Sequence, residues 1–209
     1  MVAEGEIVDF DNALACVREA SPDLLVLLGD VKHSIPITTR QEYRELPDAL
    51  EAFRSLAPIR VVPGNHDGGI ERFLGDGELL PAKGAVIDGV GYLHGHTAPS
   101  EDLLGRLILL GHLHPVVSVR DDVGCAMRDR VYLSGEFDPR CLDMEPARTP
   151  TRILVLPAFN EFAGYDVLRR GATALGPIAR CMNYDDTDVI LPDGTYLGPI
   201  RTLQPPDGP

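Results

Sequence analysis

One unit recurs along this chain, a short apolar run that closes on residues able to bind a metal. Leu24–Leu28 ends in Gly29-Asp30, and Pro58–Val62 leads into Gly64-Asn65-His66-Asp67. The run up to Leu93 ends in His94-Gly95-His96, and Leu107–Leu110 ends in Gly111-His112-Leu113-His114. All six histidines fall between residues 33 and 114. Short aliphatic runs bounded by glycine suit buried strands, and polar residues gathered beyond strand ends suit an α/β sheet with its site at the carboxyl edge. A single Gly-Asp is usually a turn, and a lone histidine usually packs or hydrogen-bonds. Four such elements in series offer imidazole, amide and carboxylate donors together, and such a set can hold two divalent cations.

The intervening sequence has matching periodicity. Phe10, Ala13, Leu14 and Val17 recur at helical spacing and predict a helix over Phe10–Ala20, with Asp11 as N-cap. Thr39 and Glu42 have the capping-box spacing for a second helix, which Pro47 is expected to break or restart. Helix, strand, helix, strand is the rhythm of right-handed crossovers in a parallel sheet. From Ala85 the pattern changes to short strands at Val86–Leu93, Leu107–Leu110, Val116–Val119, Val131–Leu133 and Ile153–Leu156, an antiparallel or mixed half. Val189–Leu191 and Tyr196–Ile200 flank a hairpin turn expected at Asp193-Gly194. A single domain over residues 1–203 with a tail at 204–209 is the expected organisation.

Length and composition narrow the class. A chain of 209 residues with 44% hydrophobic content can bury a full core. Its formal charge of −13 argues against a broad basic surface for duplex nucleic acid, while leaving room for a small site that reaches a polynucleotide end. No aliphatic run approaches the roughly 18 residues of a membrane span, and Met1–Asp11 is too acidic for a signal peptide, so the expected location is cytoplasmic with no membrane partner. Cys16, Cys125, Cys141 and Cys181 are widely separated and expected to be reduced.

Taken together, Gly29-Asp30, Gly64-Asn65-His66-Asp67, His94-Gly95 and Gly111-His112-Leu113-His114 resemble the signature of the calcineurin-like metallophosphoesterases. The longer pattern, Gly29–His33, Gly111–Pro115 and Leu156–Asn160, resembles a branch that includes archaeal and DNA-ligase-associated phosphoesterases. The resemblance implies a four-layer α/β/β/α sandwich of two mixed sheets carrying a two-metal site. It implies that Asp30 bridges the metals, that Asn65, His94 and His112 complete one, and that His114 binds the other. His66 would protonate the leaving oxygen or stabilise charge on it, and Asp67 would orient the His66 ring. Two cations about 3.5 to 4 Å apart would activate a bridging water for direct attack on a phosphoester, without a covalent intermediate. Mn²⁺ is the first expectation, with Fe²⁺ or Zn²⁺ as alternatives. The implied substrates are phosphodiesters, including nucleotides or single-stranded nucleic-acid ends, with phosphomonoesters second.

Other residues have two readings. His33 lines the mouth of the site or packs under a loop, and His96 supports a ligand rather than being one. Asn160 satisfies loop backbone groups or touches substrate, and Arg169 and Arg170 are solvated. The family's usual opening Asp-x-His pair does not occur in this sequence. The first expectation is a chain without its natural N-terminus, lacking the first core strand and poorly soluble in consequence. The second is that Ile7–Asp11 is a degenerate strand end carrying two carboxylates. The third is a phosphoesterase fold used as a scaffold without catalytic metals. Oligomeric state is not readable from these residues.

Overall fold

The computed structural model describes residues 4–32, 38–120, 126–160, 163–168 and 176–203. The chain divides into two compact units, Met1–Ala82 and Lys83–Pro209. The positions of His33, Arg169, Arg170 and the tail at 204–209 lie outside the described residues.

In the first unit α1 (Glu4–Ala20), β1 (Leu25–Leu27), α2 (Glu42–Arg54) and β2 (Ile59–Val61) follow the expected rhythm. The two strands pair in parallel, Leu25 with Ile59 and Leu27 with Val61. The expected stripe of α1 is realised: Leu14 and Val17 are buried, and Phe10 and Ala13 pack against them. On α2, Leu46, Leu50 and Phe53 turn to the same cluster, and Phe10 meets Phe53 edge-on at 5.5 Å. The capping box forms in both directions. Thr39 N donates to Glu42 Oε2 at 2.7 Å, and Glu42 N donates to Thr39 Oγ1 at 3.2 Å.

Three sequence expectations fail here. Asp11 lies inside α1 rather than at its cap, because the helix extends back to Glu4. The same extension removes the reading of Ile7–Asp11 as a strand end. Pro47 does not stop α2. It deletes one backbone donor, yet the buried face of Leu46, Leu50 and Phe53 continues across it, and packing outweighs the loss.

The second unit contains β3 (Ala85–Ile87), β4 (Val90–Leu93), β5 (Leu107–Leu110), β6 (Pro115–Arg120), β7 (Ala126–Arg130), β8 (Tyr132–Phe137), β9 (Thr151–Val155), β10 (Tyr165–Asp166), α3 (Pro177–Arg180), β11 (Asp188–Ile190), β12 (Tyr196–Pro199) and α4 (Ile200–Leu203). Seven strands form a mixed sheet in the order β12-β11-β8-β9-β5-β4-β3, and β10-β6-β7 form a smaller one. The α/β class with a mixed sheet is therefore found. The run Val86–Leu93 is a hairpin instead of one strand. Asp88 and Gly89 take φ of 49° and 83° at its turn, the left-handed pair that an Asp-Gly hairpin favours. Within the sheet β4, β5 and β9 run parallel, with Leu93 beside Leu110 and Leu110 beside Val155. Leu93, Leu110, Ile153 and Val155 are fully buried, so the three carboxyl ends are held in fixed register.

Cys141 and Cys181 are joined by a disulfide, which corrects the expectation of reduced cysteines for that pair; Cys16 is free and exposed. Separation in sequence hid the pairing, because 40 residues of chain return Cys181 to the short helix Pro139–Leu142. No helix among the described residues is long and apolar enough to cross a membrane.

Candidate metal centre

In the first unit the loops after the two parallel strands interlock. Asp30 and Gly29 both have left-handed backbone, with φ of 52° and 83°. The Asp30 carboxylate accepts from His66 N at 3.0 Å. Asp67, almost fully buried, accepts from Lys32 N at 3.1 Å on one oxygen and from Gly64 N at 2.8 Å on the other. One carboxylate thus ties the 29–32 loop to the 64–67 loop. Gly64 lies so close that a Cβ there would fall 2.1 Å from Asp30 Oδ1, so only glycine lets the loops meet. His66 is half-buried and Asn65 is exposed beside it.

In the second unit three histidines converge. His94 follows β4 and His112 follows β5, and parallel pairing of those strands puts them side by side. Gly111 N donates to His94 O at 3.0 Å and joins the two loops. The rings of His94 and His112 are 5.0 Å apart, and the nitrogens they can offer lie within 4.8 Å of one another. His96 joins them, its ring 5.4 Å from that of His94 and 6.2 Å from that of His112. His94 is 1% exposed, while His96, His112 and His114 are half-buried.

The backbone of this turn is strained. His112 and His114 have φ of 61° and 44°, so with Asp30 they make up half of the six non-glycine residues with left-handed φ among the described residues. Left-handed backbone on a histidine costs energy and persists where surrounding structure over-determines it, as at binding sites. Tyr165 N donates to His114 O at 2.8 Å, and Tyr184 Oη donates to Val167 O at 2.8 Å, so β10 braces the turn. Burial, reinforced by Tyr165 and Asp166, pushes the Tyr184 hydroxyl well above its ordinary value and keeps it a donor.

Gly176, at the start of α3, was not singled out by its sequence. A Cβ there would stand 3.2 Å from Gly95 O and 3.6 Å from His112 Nε2. It backs the histidine cluster directly, and its only sequence mark is the Gly-Pro pair that opens a short helix. Asn160 is exposed in the loop after β9.

The model of the family described as calcineurin-like phosphoesterase matches residues 3–144. The chain belongs to that family. This calcineurin-like phosphoesterase is also similar to a solved structure, the crystal structure of Pseudomonas putida nuclease MPE, with a TM-score of 0.53 at 18% identity. The similarity covers 90% of this chain and 78% of that one, and it speaks to a shared fold. Among curated proteins, none matches this phosphoesterase. Metal-dependent phosphoester hydrolysis is the chemistry of the family, and a hydrolase is what its member here is in general terms.

Proposed function

We propose that this chain is a two-metal phosphodiesterase acting on nucleotide or nucleic-acid phosphodiesters. The observation that carries the reading is the convergence of His94 and His112, with offered nitrogens within 4.8 Å, in a member of a metallophosphoesterase family. The donor chemistry fits divalent cations. Imidazole nitrogens combined with the carboxylate of Asp30 and the amide of Asn65 suit Mn²⁺, Fe²⁺ or Zn²⁺, and Mn²⁺ is the reading adopted. Asp30 would bridge the ions, Asn65, His94 and His112 would complete one, and His114 would serve the other. When bound, such ions activate water and offset the charge that builds on phosphoryl oxygens.

The chain's own residues do the rest. His66 donates a proton to the oxygen of the departing group, and its backbone N–H, bonded to Asp30, couples its position to that ligand. Asp67 is the positioning residue, since its two backbone bonds set the loop from which His66 projects. Steering of the His66 ring belongs to this proposal too. That the solved structure of similar fold is of a nuclease supports reading the substrate as a phosphodiester, and the net charge of −13 supports a small or single-stranded substrate over long duplex.

The test is hydrolysis of bis(p-nitrophenyl) phosphate and p-nitrophenyl phosphate with and without Mn²⁺. Metal-dependent turnover that prefers the diester is expected. Preference for the monoester would overturn the substrate class, and turnover indifferent to metal would overturn the mechanism. His66→Asn is expected to keep metal content and to slow turnover about 10²-fold or more, most for esters with poor leaving groups. Equal slowing on activated and unactivated esters would count against the proton-donor role.

A further inference from the structure

We infer that Phe159 is a stacking platform for a nucleobase of the substrate, which makes single-stranded nucleic acid the class this site takes; the inference rests on the phosphodiesterase reading above. Phe159 is 52% exposed and belongs to neither hydrophobic cluster. An isolated exposed aromatic is ordinary, but the position of this one is not. It sits just past β9, which runs parallel to and beside β5, the strand whose carboxyl end carries His112 and His114. Leu156 N donates to Leu110 O at 2.7 Å, immediately before the Gly111–His114 turn, and Tyr165 N donates to His114 O at its far side. Phe159 therefore lies between two anchors of the chain on the flanks of the His112-Leu113-His114 turn, Leu156 at the end of the seven-stranded sheet and Tyr165 in the three-stranded one.

The same segment is pinned by cations. Arg130 Nη1 donates to Phe159 O at 3.1 Å, and Arg128 Nη2 donates to Gly164 O at 3.1 Å. Two guanidinium groups on β7 thus stand at this loop in a chain of net charge −13. An unpaired nucleotide strand matches both features, presenting phosphates to the arginines and a flat π face to the ring. A duplex hides its base faces, and a base-free phosphoester has none to offer.

The experiment compares binding of fluorescein-labelled dT10 and of an abasic decamer of equal length to the full chain loaded with Mn²⁺, by anisotropy, both strands carrying phosphorothioate linkages so that they stay intact. The wild type is expected to favour dT10, and Phe159→Ala is expected to lower the dT10-to-abasic affinity ratio about tenfold. Phe159→Trp is expected to restore the ratio. Its indole is the sole one in a chain that has no tryptophan, and dT10, unlike the abasic strand, is expected to quench its emission. A wild-type ratio near one, or a ratio unmoved by Phe159→Ala, would overturn the platform. If metal-dependent hydrolysis of bis(p-nitrophenyl) phosphate persists beside that result, only Phe159 loses its role. Absence of that hydrolysis would instead sink the phosphodiesterase reading beneath it.

Discussion

At the scale of single residues, the site depends on close approach as much as on ligands. Asp30 can hold its left-handed backbone because Gly64 leaves room for it and His66 N bonds its carboxylate. Gly64→Ala puts a methyl group where the Asp30 carboxylate and amide already stand, and one of them must move. The expected outcome is a loss of Mn²⁺ affinity of about tenfold or more, the scale on which support for a metal ligand matters, with far-UV circular dichroism retained. Calorimetric titration measures it. Undiminished affinity would remove Asp30 from the ligand set.

At the scale of elements, the ion pair of Arg54 and Glu78 fixes the segment that follows β2. Arg54 Nε and Nη2 donate to the two Glu78 oxygens at 2.8 and 2.7 Å, and Nη2 also donates to Phe73 O. Those bonds, with Gly75 N donating to the same carboxylate, hold Glu78 below the ordinary carboxylate value and Arg54 above its own. A depressed carboxylate contributes stability that is present above its unfolded value and lost as pH falls through its folded one. Denaturant midpoints followed from neutral pH to below 4.5 are thus expected to fall more steeply for the wild type than for Glu78→Gln. Parallel curves would show that the pair carries no proton linkage.

Elements also set what could be read in advance. Strand Leu107–Leu110 was legible to the residue, and Leu24–Leu28 to within one, because a buried strand leaves an uninterrupted aliphatic run. Ala126–Arg130 was not, since Ala-Met-Arg-Asp-Arg carries no apolar pattern and becomes a strand only by pairing with β6. His94, His96 and His112, whose rings the fold brings together, stood out in the sequence because they close apolar runs. Gly176 did not, because its place beside His112 arises from the return of the chain after β10. Asp67 was visible as a residue, while its hold on the Lys32 and Gly64 amides emerged only with the fold.

At the scale of the molecule, the unit Lys83–Pro209 is closed by the Cys141–Cys181 bridge, which spans 40 residues. A loop of that length corresponds to about 4 kcal/mol of chain-entropy stabilisation. Dithiothreitol is expected to lower the thermal midpoint of the wild type and to leave Cys141→Ser unmoved; equal response of both would mean that the bridge does not contribute. The proposed function turns on His94 and His112 as cation ligands. The Mn²⁺ bound per chain at saturation, in wild type and in His112→Ala, decides it, with diester hydrolysis followed in the same samples. Two ions in the wild type, with fewer or far weaker ions and no turnover in His112→Ala, is the expected result. Unchanged metal content and unchanged turnover in that variant would mean that His112 is not a ligand.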